Sequence, residues 1–282
     1  MQSKKCLLAS VFVCIIMVFA MLGTVGVFMA DKICTPEYLI SQADKTNTYD
    51  NAYQALQTRF ANDYSVTNIP SEVYAEAFSS EWIRNAVNEK INSVFEERDS
   101  QIDCSAAEKS ITAYFEEYAH DAHVLKDDAY DAKLAESIDY AVKTALNETD
   151  VFSLDILNKA GIVNRISKAA GLVRRYCFVC PAVLAVLLIL LILLKRPVYW
   201  LGTALFSSGI LLVLPTAYIG ITNAIEKFSI KDFTTYTLVT GTLHSLDQSV
   251  MTIGIVMAAA GVCLLTGSIV RMQRSHQKET IC

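Results

Sequence analysis

Lys195-Arg196-Pro197 separates two unbroken apolar runs, Cys177–Leu194 and Val198–Ile221. At roughly 1.5 Å of rise per residue, each run can cross a hydrocarbon core about 30 Å thick. The two charges are costly in lipid, and the proline cannot continue the incoming helix. The tripeptide therefore reads as the tight turn of a transmembrane hairpin. Two further apolar blocks, Cys6–Ala30 and Val250–Val270, lie towards the ends, and none of the four contains Asp, Glu, Lys, Arg or His. The chain is 53% hydrophobic, and this concentration into blocks points to a membrane protein rather than one large globule.

The expected fold class is an all-α membrane protein, with four transmembrane helices and an extracytoplasmic helical bundle between spans 1 and 2. Residues 1–5 form a cytoplasmic N-terminus, 6–30 the first span and 31–175 an acidic extracytoplasmic domain. The second span covers 176–194, a cytoplasmic turn 195–197 and the third span 198–221. An extracytoplasmic loop covers 222–249, the fourth span 250–270 and a cytoplasmic tail 271–282. The first block exceeds a secretory signal in length, and Phe28-Met29-Ala30 makes a poor cleavage site, so an uncleaved signal-anchor is expected. Both termini then lie in the cytoplasm with Lys4, Lys5, Lys195, Arg196, Arg271, Arg274 and Lys278. Against that count, Lys159, Arg165, Lys168, Arg174 and Arg175 remain on the far side. The rule weights short loops and the first span, and both favour the cytoplasmic N-terminus. The expected location is the cell membrane.

Residues 31–175 read as helical. No glycine occurs between Gly26 and Gly161 and no proline between Pro70 and Pro181, whereas turn-rich β architectures need both. Thr35-Pro36-Glu37 has the composition of a helix start. Tyr53, Leu56, Phe60 and Tyr64 form one apolar stripe, and Pro70-Ser71-Glu72 opens a long helix carrying Ile83, Val87, Ile91, Val94 and Ile102. Ser105 and Glu108 match a capping box, followed by a stripe of Ile111, Phe115, Tyr118, Ala122 and Leu125. Tyr130, Leu134, Ile138, Val142 and Ala145 complete the set of one-faced helices, which should close into a bundle. Ile162, Ile166, Ala169 and Val173 share the face of a more basic segment. That segment either lies on the membrane surface or runs directly into the second span. In the 222–249 loop, Phe228, Ile230, Phe233, Tyr236 and Leu238 are too apolar for a bare linker, and they should dock on the large domain or at the membrane surface.

From Asp31 to Leu172 there are 13 Lys/Arg against 25 Asp/Glu, a balance of −12. Nucleic acid needs a basic face and is excluded as a partner; a basic protein, a cation or solvation fits this charge. The expected partners are the lipid bilayer and either a protein at the cell envelope or a second copy of the chain.

The chemistry-bearing motifs are sparse. The four blocks lack the ionisable groups that mark ion paths, and offer small residues suited to close helix packing: Gly23, Gly26, Ala204, Ser208, Gly254, Ala258 and Gly261. Cys34, Cys104, Cys177 and Cys180 fall outside or at the outer surface, and they are the disulfide candidates. Cys34–Cys104 is the preferred bridge, since these are the only two in the soluble domain. Cys177-Phe-Val-Cys180 has redox spacing but no surrounding βαβ pattern, and reads as a structural pair. Glu116, His120 and His123 have helical spacing compatible with zinc or iron, but a di-iron bundle needs a second Glu-x-x-His, which His244 and His276 do not supply. A solvated polar face is the expected reading, with no cofactor, no bound metal and no catalytic residue.

Ile69-Pro70-Ser71-Glu72-Val73-Tyr74, then Phe78 and Glu81-Trp82-Ile83, form one distinctive stretch. Tyr199-Trp200-Leu201-Gly202 leading to Leu205-Phe206-Ser207-Ser208-Gly209 and Leu212-Val213-Leu214-Pro215 form another. Together they resemble uncharacterised four-span membrane proteins of Gram-positive, clostridial-type bacteria. The resemblance implies a cytoplasmic-membrane location with the helical domain outside, and carries over no activity or catalytic residue.

The function expected from these features is non-enzymatic: an envelope binding, sensing or scaffolding protein with an exposed helical domain. A membrane transport component, such as a permease subunit, is the alternative. The short turn 195–197 would give a cytoplasmic ATPase little to grip.

Overall fold

The lack of turn-forming residues through the acidic region leaves helix as its regular state, and no strand occurs among the described residues. The computed structural model describes residues 4–33, 35–67, 69–96, 98–151, 168, 171–172, 175, 178–193 and 196–281. The helices are α1 (Lys4–Ile33), α2 (Pro36–Lys45), α3 (Thr48–Thr67), α4 (Ser71–Ala77) and α5 (Ser80–Phe95). They continue with α6 (Ser105–Asp121), α7 (Asp128–Glu148), α8 (Val179–Leu193), α9 (Pro197–Thr222) and α10 (Phe233–Ile281). A 3-10 turn spans Ile225–Lys227. The chain divides into two compact units. One comprises Met1–Cys34, Lys168–Ser229 and Thr242–Cys282; the other comprises Thr35–Ser167 and Ile230–Gly241.

In the acidic unit, one core gathers the apolar faces of α2 to α7. Phe60 stacks on Tyr74 with ring centroids 3.9 Å apart and on Phe78 at 6.0 Å, and all three rings are fully buried. Ile83, Ile91 and Ile111 fill the space beside them. Lys90 is nearly buried, yet its ammonium donates to the Leu146 carbonyl at 2.6 Å, satisfying an acceptor in the last turn of α7.

Several local expectations need correction. The helix opened by Pro70 does not run through to Ile102. It ends at Ala77, and Ser79 caps a new helix by accepting from the Trp82 N–H at 3.2 Å. The break aims Phe78 inward. At α6 the Asp103 carboxylate, not Ser105, accepts from the first free N–H at 2.9 Å, and Cys104 is the N-cap residue. α6 stops at Asp121, so Ala122 and Leu125 are not on its stripe, and Leu125 is 77% exposed.

The expected 222–249 loop is also different. Residues from Phe233 onwards belong to α10, which runs without a break to Ile281. Residues Ile230–Gly241 belong to the acidic unit, whose core includes the fully buried Leu238. Of the apolar residues expected to dock, Leu238 packs in the core of the large domain, as part of a helix, whereas Phe228 and Phe233 are exposed.

Among the described residues, three helices are long and apolar enough to cross a membrane: Leu7–Ile33, Pro197–Thr222 and Phe233–Gln273, the last of which begins in the acidic unit. Apolar α8 has 15 described residues, and the flanking positions 176–177 and 194–195 lie outside the described set. α1 packs on α8 and α9, burying Met17, Met21, Leu187, Leu191 and Ala204. Phe12, Phe19 and Ile192 stay exposed on these helices, as side chains facing lipid do.

The expected small-residue packing is present between α9 and α10. A Cβ at Gly209 would lie 2.5 Å from Ala258 N and 2.6 Å from Gly254 O, and one at Gly261 would lie 2.5 Å from Phe206 N. Only glycine permits main chains to approach this closely. Ala204 and Ser208 are fully buried as well. Gly26, by contrast, has no atom within 4 Å of where its Cβ would be.

Candidate functional site

The disulfide expectation is not supported. Among the described residues no cysteines stand at bonding distance: Cys104 and Cys180 are free thiols, while Cys34 and Cys177 lie outside the described residues. The Cys104 Sγ instead donates to the Ile102 carbonyl at 3.8 Å. Burial, then the Glu108 and Asp103 carboxylates, push this thiol above its ordinary pKa. Such a group is a poor thiolate nucleophile. Cys180 sits half-buried at the start of α8, where a Cβ on Gly23 would come within 3.3 Å of its sulfur. The basic segment considered above lies outside the described residues except for Lys168, Gly171, Leu172 and Arg175.

Glu116, His120 and His123 do not share a helix face. α6 ends at Asp121, and His123 lies beyond it with φ of 52°. Its Nδ1 lies 3.1 Å from the His120 carbonyl, and the His120 Nδ1 lies 3.1 Å from Asp121 Oδ1. All three side chains are exposed. Among the described residues, no group of three or more His, Cys, Asp or Glu is placed to hold a metal ion.

The polar contacts of the acidic unit are mostly surface pairs. Arg98 reaches both Glu89 and Glu96, and the hydrogen bonds from Arg98 and from the Gln101 N–H hold the Glu89 carboxyl down at about 2. Tyr49 donates to Asn88 Oδ1 at 2.6 Å beneath the Arg84 guanidinium, 4.4 Å from the ring centroid. Burial first, and the Asp44 charge second, raise the Tyr49 hydroxyl to about 12. These arrangements fix helices rather than assemble a nucleophile, base and acceptor around one reacting atom.

Two cavities of the membrane-type unit are walled by described residues. The first, about 540 Å³, is lined by Arg196, Pro197, Val198, Gly267, Ser268 and Arg271. Arg196 adopts a left-handed conformation with φ of 66° just before the first turn of α9, so two guanidinium-bearing residues and a helix start share one space. The second, about 410 Å³, lies where α9 ends and the 3-10 turn folds back beside α10. Thr216, Ile219, Ile225, Phe228, Leu246 and Asp247 are among its walls. One carboxylate oxygen of Asp247 is buried with no hydrogen-bond donor.

No protein-family model matches the chain, and neither does any curated protein or solved structure.

Sequence reasoning missed Asp247. Placing the fourth span at 250–270 left Asp247 in a loop, three residues short of the block. The signal was present: Leu243, Leu246 and Val250 continue the apolar face of the span upstream at helical spacing, which carries Asp247 into the helix with them.

Proposed function

We propose that the chain is a four-span protein of the cell membrane, with both termini cytoplasmic and the acidic helical unit outside. It acts there without catalysis, as a binding, sensing or scaffolding component of the envelope. α8 is the second of the four spans in this reading. The observation that carries it is the pairing of an acidic, independently cored helical bundle with helices long and apolar enough to cross a membrane. The −12 charge balance between Asp31 and Leu172 supports a basic protein partner, or a second copy bridged by cations. The location agrees with the resemblance to four-span proteins of clostridial-type bacteria.

The test is labelling of a single cysteine at Glu116→Cys in the full chain, in an otherwise cysteine-free background, by a membrane-impermeant maleimide on sealed cells. Labelling before permeabilisation is the expected outcome. Labelling only after permeabilisation inverts the topology and removes the envelope function. Affinity capture with the same chain should then retain a basic partner at low ionic strength and release it at high salt.

A transport component is the second reading. It draws on Asp247, a carboxylate in the membrane-type unit beside a cavity. Stable co-purification of an ATPase after mild detergent extraction would favour it.

A further inference from the structure

The cavity beside Arg196 presents two cations and no acid. Arg196 stands just before the apolar helix Pro197–Thr222, and Arg271 lies close to the end of the apolar stretch Phe233–Gln273. Both side chains are exposed, and among the described residues neither joins an ion pair. The sequence supplies no counter-ion nearby. No Asp or Glu occurs from 156 to 225 or from 248 to 278, while Lys195, Arg274 and Lys278 add further positive charge. Two guanidinium-bearing residues that share one space without a carboxylate call for an anion from outside.

The remaining walls suit such a guest. Gly267 leaves the space open: a Cβ there would meet nothing within 4 Å, unlike one at Gly202, Gly209 or Gly261, where the facing helix presses close. The Ser268 hydroxyl has no partner among the described residues, whereas Thr252 and Thr266 on the same helix donate to their own main-chain carbonyls at 2.8 and 2.9 Å. The Trp200 N–H bonds to the Arg196 carbonyl at 3.4 Å, which ties this left-handed arginine to the first turn of α9. Arginine's planar fork matches the oxygens of a phosphate. Pro197, Val198 and Met272 complete the lining, and Val198, Ile269 and Val270 leave apolar surface exposed at this end of the two helices. A free anion gains nothing from apolar walls. A lipid phosphate gains from both, because its acyl chains continue along the helices.

We propose that this cavity holds the phosphate of an anionic membrane lipid, with Arg196, Arg271 and Ser268 donating to its oxygens and the acyl chains lying against Val198 and its apolar neighbours. A zwitterionic lipid carries its own cation and has less use for the arginine pair. The inference rests on α9 and α10 spanning the bilayer, as proposed above, and holds for either orientation of the chain.

The test titrates the full chain, purified in a neutral detergent, with dioleoylphosphatidylglycerol or dioleoylphosphatidylcholine, and counts bound lipid by native mass spectrometry. The anionic lipid should bind about tenfold or more tightly than the zwitterionic one. Arg196→Gln combined with Arg271→Gln should bring the two lipids level. Gly267→Leu keeps every charge but fills the cavity, and should remove most of the same preference. Inorganic phosphate in excess should displace neither lipid. Equal binding of the two lipids to the unaltered chain overturns the proposal. A preference that survives either substitution at full strength also overturns it, since general attraction to a basic surface then suffices. Displacement of the anionic lipid by inorganic phosphate overturns it in favour of a free anion. A chain that stays dissolved without detergent overturns this inference and the membrane reading together, whereas an inverted result at Glu116→Cys overturns the orientation alone.

Discussion

At the scale of single residues, Glu148 shows how burial turns an acid against the fold. It is half-buried in the last turn of α7, where the helix dipole also disfavours negative charge. Burial and the nearby Asp232 charge raise its carboxyl pKa, with Arg59 opposing them. The unfolded chain therefore gives up this proton first as pH rises. The resulting penalty is absent below the ordinary carboxyl range and complete once pH exceeds the folded-state value. Glu148→Gln should raise the melting temperature at pH 7 and leave it unchanged near about pH 3.5, read by thermal denaturation of the full chain in detergent. Such reversals are hard to see in a sequence, because Glu148 and Asp232 are remote along the chain. His123 is illegible for another reason. It adopts positive φ at the end of α6, a conformation usually signalled by glycine or asparagine, and without that signal the stripe of α6 extrapolates past its true end.

At the scale of elements, periodicity marked many of the buried positions, though Tyr64 and Tyr118 on the same stripes are exposed, and it was a poor guide to where helices stop. Leu56, Phe60, Ile83, Val87, Ile91 and Ile111 all reach the core that their spacing predicts. The interruption after Ala77 carries no proline or glycine, and only the Ser79-Ser80 pair hints at a cap. Small residues in the apolar blocks were likewise readable as packing positions, although the sequence could not say which of them touch. The structure separates Gly209, pressed against the backbone of α10, from Gly26, which faces open space. Gly209→Ala should destabilise the membrane-type unit by about 1–3 kcal/mol, the usual cost of overpacking, while Gly26→Ala should not. Thermal melting of the two variants in the same detergent checks the contrast.

At the scale of the whole molecule, the charge partition between acid-rich and uncharged stretches was plain from composition. The division into units was not, because the acidic unit recruits Ile230–Gly241 from a distant part of the chain. The apolar residues around Leu238 pointed to docking on the large domain or at the membrane surface, without saying which; Leu238 is fully buried in a core whose other described residues lie at or before Val151. Leu238→Ala should cost about 2–5 kcal/mol, as other buried leucines do, and should appear as loss of the acidic unit's cooperative melting. The glycine contacts of α9 with α10 carry a different consequence. Where main chain rests on main chain there are no rotamers to exchange, so the two helices have no low-energy way to slide or part.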